Sequence, residues 1–222
     1  MCGRYSLLCI DDLGKRFRVT NPVIGFRSHF NIAPTSEQPV IVNDNGNTIV
    51  RMRWGLIPSW AKDSTIGQRL INARAETIVE KPAFQSLVKN HRCLVPASGF
   101  FEWKKEGVHK IPYYIRLIGE SQFSFAGLFD SWKAPDNTII RSYTIITTQP
   151  NELVARVHNR MPVILLKEYE DRWVTPIPLN PSDLSALLVP YPNNAMEMYP
   201  VSDRVNAPSN DTPDVIEPVE RL

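Results

Sequence analysis

The sequence predicts an α+β fold, a single domain with a curved, largely antiparallel, barrel-like sheet and a few short helices. Segments rich in β-branched and aromatic residues are more numerous than helical patterns. Prolines, 19 in 222 residues, occur throughout the chain and indicate many short turns. No Gly/Ser-rich linker divides the chain, and 222 residues are enough for one large core. We therefore expect one domain over residues 1–222.

The expected strands are short apolar segments separated by turn signals. Asn45-Gly46 lies between apolar residues 40–42 and 49–52, a spacing that is typical of a β-hairpin. Later segments with the composition of strands are residues 113–118, 123–128, 143–148 and 162–166. Together these segments predict a sheet that continues through most of the chain.

Helices are expected to be few and short, each beginning at a residue that suits a helix N-terminus. Asn and Asp accept hydrogen bonds from the first turn, and Pro fits the first helical position. The candidates are residues 11–17, residues 83–89 after Pro82, residues 152–157 after Asn151, and residues 184–188 after Pro181. Residues 206–222 have the composition of a loop or a loose tail.

Composition excludes several classes of protein. The three cysteines, Cys2, Cys9 and Cys93, cannot all pair and include no C-x-x-C spacing, so we expect free thiols and no metal site. No apolar segment approaches the roughly 20 residues needed to span a membrane. An arginine at position 4, with no apolar run behind it, excludes a signal peptide, so we expect a cytoplasmic protein.

Positive charge is concentrated in one part of the chain. Residues 51–116 contain 12 Lys or Arg and 5 Asp or Glu, whereas residues 117–222 contain 8 and 14. Proteins that bind phosphates concentrate positive charge where the backbone passes. Chance variation of a solvated surface explains the asymmetry equally well, so it does not decide the function.

The second residue suggests a reactive group. Removal of Met1 is favoured by a small following side chain, and it would leave Cys2 as the N-terminal residue. An N-terminal cysteine has an α-amine with a pKa near 7.7–8.0 and a thiol with a pKa near 8.5. The amine can form an imine with an aldehyde, and the thiol can close a five-membered thiazolidine on the imine carbon. A cysteine that only fills a small position is the alternative, because reactivity needs a supporting environment.

Eight short segments occur in an order that resembles the SRAP family (SOS response-associated peptidase), whose members sense abasic sites. They are MCGRY (1–5), NIAP (31–34), WGLIPSW (54–60), INARAET (71–77), CLVPASGFFEW (93–103), AGLF (126–129), HNRMP (158–162) and PVS (200–202). The resemblance extends from residue 1 to about residue 206. Each segment alone is weak, but eight in this order are highly specific.

The resemblance implies that Cys2 is the nucleophile and that Asn72, Glu102 and His158 complete the catalytic site. Asn72 can hydrogen-bond the α-amine. Glu102 lies between two aromatic residues, where partial burial would raise its pKa into a range useful for proton transfer. His158 titrates near neutrality and can protonate the sugar ring oxygen. Structural roles are the alternatives: a turn cap for Asn72, an ion pair between Glu102 and Arg74, and a helix-terminal His158.

The resemblance also implies a surface for single-stranded DNA, which proteins hold with positive grooves and exposed aromatic rings. Arg4 and Arg74 would hold phosphates near the lesion, and Trp60 would stack on a neighbouring base. Asn31 and Pro34 are expected in a loop that either wedges beside the strand or blocks a paired one. The candidate DNA contacts are Arg4, Asn31, Pro34, Trp60, Arg74, Thr148 and Arg160.

The expected partner is therefore single-stranded DNA with abasic sites, bound by a monomer in the cytoplasm at the nucleoid, without cofactor, metal or membrane. Two alternatives remain open. Cys2 and His158 are able to form the nucleophile–base pair of a thiol peptidase, whose proteolysis would be the self-removal of Met1. A basic groove alone would make the protein a non-covalent binder of single strands.

Overall fold

The computed structural model describes residues 2–220. Its strands are β1 (Tyr5–Leu7), β2 (His29–Ile32), β3 (Glu37–Asn43), β4 (Asn47–Trp54), β5 (Asn72–Arg74), β6 (Arg92–Ala97), β7 (Gly99–Glu106), β8 (His109–Leu117), β9 (Phe123–Lys133), β10 (Ile139–Thr148), β11 (Met161–Pro162) and β12 (Met196–Pro200). Its α-helices are α1 (Leu13–Arg16), α2 (Leu87–Asn90), α3 (Glu170–Val174) and α4 (Pro181–Leu187). Its 3-10 helices are Ile10–Asp12, Ser64–Arg69, Ala75–Thr77, Val154–Arg156, Lys167–Tyr169, Asn193–Ala195, Asp203–Asn206 and Pro213–Ile216.

One sheet closes into a barrel. Strand β9 pairs with both β6 and β10, and the order β10-β4-β3-β6-β9 therefore returns to β10. Strand β10 pairs in parallel with β4 and β5, and the other pairings of this sheet are antiparallel. The predicted α+β fold with a largely antiparallel, barrel-like sheet is confirmed. Closure leaves few open strand edges, which limits unwanted pairing with other chains.

The second sheet brings the start of the chain into the interior. Its order is β12-β8-β7-β1-β2, and β1 lies between β2 and β7. Tyr5 is fully buried, and its hydroxyl lies 2.7 Å from the hydroxyl of Tyr143 on the barrel. Trp54 packs edge-on against Tyr5 and parallel to Tyr143. Cys2, three residues before Tyr5, is thereby held in the main hydrophobic core.

The sequence predicted the types of elements better than their lengths. The hairpin of β3 and β4 forms as expected, with Asn45 and Gly46 both at positive φ. The expected helix over residues 83–89 is reduced to α2, because residues 81–86 form successive turns. The expected strand over residues 162–166 is paired as a strand only at β11, with one further bridge from Ile164.

The end of the chain is irregular as predicted, but it is not loose. Residues 203–216, which we call the strap, contain two 3-10 helices. Val215 is fully buried against Phe101 and Tyr114 in a second hydrophobic cluster. The Asp211 carboxylate accepts hydrogen bonds from the backbone N–H groups of Phe30 and Asn31, at 2.6 and 2.9 Å. Polar composition predicted a tail because it did not reveal these partners.

Candidate active site and DNA-contacting surface

Cys2 lies immediately before β1 and is fully buried. Its sulfur lies 4.0 Å from the carbonyl oxygen of Arg4. Burial, followed by the nearby charge of Glu102, raises the pKa of the Cys2 thiol well above its ordinary value. With Met1 in place the Cys2 nitrogen is part of a peptide bond, so an α-amine at Cys2 exists only after Met1 is removed. The sulfur is therefore held as a protonated thiol.

Glu102 reaches the core because side chains alternate along β7. Phe101 and Trp103 pack in the second hydrophobic cluster, whereas Phe100 and Glu102 point to the other face of the strand. Glu102 is 2% exposed, and burial raises its pKa to about 7. The carboxyl group thus exchanges protons near neutral pH, as the sequence predicted. An ion pair of Glu102 with Arg74 is absent among the described residues.

His158 approaches the carboxyl group of Glu102. It follows the 3-10 helix Val154–Arg156, and its Nε2 lies 3.9 Å from Glu102 Oε2. Nδ1 of His158 lies 3.0 Å from the backbone nitrogen of Arg160 and 3.2 Å from the Arg160 carbonyl oxygen, so the Arg160 backbone orients the ring in either tautomer. Burial lowers the pKa of His158, so the imidazole is neutral at neutral pH. A neutral imidazole therefore turns its Nε2 toward the carboxyl group of Glu102.

Asn72 begins β5, beside strand β10. Its Nδ2 donates to the carbonyl oxygen of Ile145 at 3.4 Å. Its Oδ1 is buried and has no hydrogen-bond partner among the described residues. A buried acceptor without a partner is uncommon in folded proteins and suits a group that binds a donor on a ligand. Asn72 shares a cleft with Trp60 and Arg74, and its predicted role at the amine of Cys2 stays a prediction.

Arg4 and Asn31 bind the strap. Arg4 Nη1 donates to Asn31 Oδ1 and to the carbonyl oxygen of Val205, both at 2.8 Å. Asn31 Nδ2 lies within 3.2 Å of the carbonyl oxygens of Val205, Ala207 and Asn210. The prediction that Asn31 lies in a loop is wrong, because it is a buried residue of β2. The neighbouring Pro34 does lie in a turn and is half-buried.

Thr148 and Arg160 are both buried, and their predicted contacts with DNA stay predictions. Thr148 is 5% exposed at the end of β10, opposite Met161. Arg160 is 9% exposed, and its guanidinium binds both carboxylate oxygens of Glu76, at 2.6 and 2.8 Å. It also donates to the carbonyl oxygen of Thr147. The structure thus gives Arg160 an internal partner, which the local sequence did not reveal.

Trp60 and Arg74 have the exposure that DNA binding requires. Trp60 is 60% exposed, and the Arg74 side chain is also exposed. Both line a cleft that includes Lys81 and Phe84. Sequence reasoning missed Lys81 and Phe84, because both follow Thr77, the last residue of the INARAET segment. Only the local excess of basic residues pointed to this part of the chain.

The described residues contain no helix that is long and apolar enough to cross a membrane. They also contain no group of three or more His, Cys, Asp or Glu side chains arranged to hold a metal ion. Cys2, Cys9 and Cys93 are free thiols.

The similarity to curated relatives extends over most of the chain. The abasic site processing protein YoqW of Bacillus subtilis is 44% identical over 98% of this chain and 99% of its own. The abasic site processing protein HMCES of Gallus gallus is 32% identical over 88% of this chain and 67% of its own. The relatives thus range from a bacterium to a vertebrate, and both are named for processing of abasic sites.

Solved structures show the same fold. A crystal structure of a protein from Bacteroides thetaiotaomicron superposes with a TM-score of 0.91, at 29% identity, over 99% of this chain and 100% of that one. The model of the SOS response associated peptidase (SRAP) family matches residues 1–208. The motif resemblance, the shared fold and this match agree, and the chain therefore belongs to the SRAP family.

Proposed function

We propose that this protein senses abasic sites in single-stranded DNA and binds them covalently through Cys2, after Met1 has been removed. The observation that carries the proposal is the cluster of Cys2, Glu102 and His158. A buried carboxyl group with a pKa of about 7 lies beside a protonated thiol and a neutral imidazole. Perturbed acids and bases that meet at a potential nucleophile are typical of reactive sites. The names of the curated relatives support abasic sites as the substrate.

The chemistry proceeds in two additions. The Cys2 α-amine adds to the C1′ aldehyde of the open sugar, and the resulting carbinolamine loses water to give an imine. The Cys2 sulfur then adds to the imine carbon while the nitrogen takes up a proton, which closes the thiazolidine. One molecule of water leaves for each crosslink formed. The raised pKa of the thiol favours this order, because a protonated thiol is a weak nucleophile until the imine is in place.

Glu102 and His158 supply proton transfer in this scheme. Glu102 takes a proton from the attacking amine and returns it to the departing hydroxyl group, for which a pKa near the working pH is suited. The protonated form of His158, whose Nε2 faces Glu102, gives a proton to the sugar ring oxygen as the ring opens to the aldehyde and returns to the neutral imidazole. Asn72 Oδ1, buried without a hydrogen-bond partner among the described residues, is available to accept a hydrogen bond from the amine.

The peptidase alternative is less well supported. Thiol peptidases activate sulfur as a thiolate beside a protonated histidine. Here the sulfur contacts the Arg4 carbonyl oxygen, burial raises its pKa, and burial lowers the pKa of His158. These features disfavour a thiolate–imidazolium pair. Removal of Met1 by the protein itself remains part of the proposal, since it would be a single event without an external substrate.

The test uses a single-stranded oligonucleotide with one abasic site, incubated with protein that mass spectrometry shows to begin at Cys2. We expect a band on a denaturing gel that survives heating without a reductant. Cys2→Ser should lose this band yet give one after borohydride, because the amine still forms an imine that borohydride traps. Cys9→Ser is the matched control, since Cys9 is an exposed free thiol, and it should retain the band.

Two outcomes would contradict the proposal. Absence of the heat-stable band with the wild-type protein would eliminate the covalent function. Salt-sensitive binding would then favour a passive binder of single strands. Cleavage of an unrelated peptide that disappears in Cys2→Ser would favour the peptidase.

A further inference from the structure

The side chain of Arg160, two residues after His158, is anchored inside the protein. Its two terminal nitrogens each donate to one carboxylate oxygen of Glu76, at 2.6 and 2.8 Å. Nη2 also donates to the carbonyl oxygen of Thr147 on β10, at 2.7 Å. A bidentate pair of a guanidinium and a carboxylate fixes the orientation of both groups. Glu76 and β10 therefore determine together where the Arg160 side chain lies.

The backbone of Arg160 is in turn the contact of the His158 ring. Both backbone polar atoms of Arg160 lie within 3.2 Å of Nδ1 of His158. On the opposite side of the ring, Nε2 lies 3.9 Å from the carboxyl group of Glu102. Three contacts thus follow one another, from Glu76 to Arg160, from Arg160 to His158, and from His158 to Glu102. A shift of Arg160 moves the imidazole relative to Glu102.

The pair of Glu76 and Arg160 also connects two parts of the site. Glu76 lies in the 3-10 helix Ala75–Thr77, which directly follows β5, the strand that begins with Asn72. Arg160 directly precedes β11, and both β5 and β11 pair with β10. The ion pair therefore joins the segment of Asn72 to the segment of His158, independently of the strand pairing.

Charge makes the pair more than a hydrogen bond. The hydrogen bonds from Arg160 lower the pKa of Glu76, so its carboxylate stays charged in the pH range where Glu102 titrates. Within the described part of the chain, Glu76 is the ion-pair partner of Arg160, whose side chain is 10% exposed. A buried guanidinium that loses its carboxylate keeps the cost of desolvation without the compensating attraction. Loss of Glu76 would therefore drive the Arg160 side chain toward solvent.

We propose that Glu76 is a positioning residue of the covalent site, which acts through Arg160 to hold the His158 ring beside Glu102. This inference rests on the proposed function and adds a residue to which the motif resemblance gave no role. The carboxylate of Glu76 is engaged by Arg160, so its effect on the reaction is indirect. Glu76 should therefore determine the rate of crosslinking and not the affinity for DNA.

The test compares rates of crosslinking to a single-stranded oligonucleotide with one abasic site, using protein that mass spectrometry shows to begin at Cys2. Glu76→Ala should lower the rate at saturating protein on the order of tenfold, because misplacement of a catalytic group by about 1 Å is enough for such a loss. The protein concentration that gives half of the maximal rate should stay the same. Glu76→Asp keeps the carboxylate and should recover most of the loss.

Glu197→Ala is the matched control. Glu197 forms an ion pair with Arg116 at 2.6 Å, but both side chains are exposed and lie on the paired strands β12 and β8. Its removal should leave the maximal rate unchanged. An equal loss in Glu76→Ala and Glu197→Ala would overturn the inference, since an effect of net charge would then explain both.

A second comparison separates positioning from a general loss of structure. In a His158→Ala background, Glu76→Ala should cause no further loss of rate, because a residue that acts through His158 has no ring left to position. Glu76→Gln removes the charge but keeps one acceptor for Arg160, and it repeats the comparison with less disturbance of the fold. Equal fold losses in both backgrounds would overturn the inference, and so would a loss confined to the half-saturating concentration.

The wild-type protein in the same experiment tests the proposed function separately. A wild-type crosslink with an unchanged rate in Glu76→Ala would overturn the positioning role alone. Absence of a wild-type crosslink would remove the proposed function and the role of Glu76 with it.

Discussion

Polar side chains at the strap bind the protein itself, whereas Arg74 and Lys81, in the cleft lined by Trp60 and Asn72 that we call the Trp60 cleft, face solvent. Arg4, Asn31 and Trp103 all hydrogen-bond residues of the strap, Trp103 through the side chain of Asn206 at 2.8 Å. Trp60 and Arg74 were predicted from the same kind of motif evidence as Arg4 and Asn31, yet they have no comparable internal partners in the described part of the chain. Residues of one motif pattern can therefore be held by the protein itself in one region and exposed to solvent in another.

The difference shows how to separate the two roles. Removing a buried, hydrogen-bonded side chain leaves its partners unsatisfied and lowers stability. Removing an exposed side chain without partners changes stability little, so its effect must be sought in binding. Glu102 belongs to a third type. It is buried, and its raised pKa shows that the protein favours the protonated carboxyl group over the carboxylate. Three substitutions distinguish these types.

Glu102→Gln should have the largest effect on stability, and it should be stabilising at high pH. The folded pKa of about 7 lies above the ordinary value of 4.5, so the contribution of Glu102 to stability is fully present below pH 4.5 and is lost as pH rises through 7. The difference of about 2.5 pKa units corresponds to about 3 kcal/mol. Urea unfolding should therefore show a gain of that order at pH 8.5 that vanishes near pH 4.5.

Glu106→Gln, at the exposed end of the same strand, should change stability by less than about 0.5 kcal/mol at both pH values. A gain in Glu102→Gln that does not depend on pH would contradict burial of a titrating carboxyl group as its cause. Crosslinking should fall in Glu102→Gln by about 100-fold or more, the range typical for loss of a general acid–base group. A substitution that raises stability and lowers activity is the outcome expected at a functional residue.

The sequence predicted much of the barrel, because alternating β-branched and aromatic segments and the Asn45-Gly46 turn are local signals. It predicted the burial of Glu102 from its aromatic neighbours, for the same reason. The strap was not predictable, since Asp211 and Val215 are fixed by partners about 100 to 180 residues away. The partner of Arg160 was missed because Glu76 is 84 residues distant. Long-range polar pairing leaves little trace in one sequence.

Asn31→Ala should lower stability by about 2 kcal/mol. The substitution removes the acceptor of Arg4 and the amide that binds three strap carbonyl oxygens, all in a residue that is 3% exposed. Asn193→Ala is the matched control, because within the described residues the Asn193 amide donates only to an exposed glutamate, and it should cost less than about 0.5 kcal/mol. Urea unfolding measures both. Equal stability of the two variants would mean that the strap contributes little.

Arg74→Ala should have the smallest effect on stability, less than about 0.5 kcal/mol, because the exposed guanidinium has no ion-pair partner among the described residues. Its effect should lie in binding to single-stranded DNA that carries a tetrahydrofuran analogue of the abasic site, which lacks the aldehyde and cannot crosslink. The slope of log affinity against log salt should fall in magnitude by about 0.7, the value for one phosphate contact on a single strand. Under conditions where Asn31→Ala is folded, the salt slope of this variant should fall by less than that of Arg74→Ala. The reverse order would mean that the strap, and not the Trp60 cleft, follows the DNA backbone, since a phosphate contact changes the slope and an internal hydrogen bond does not.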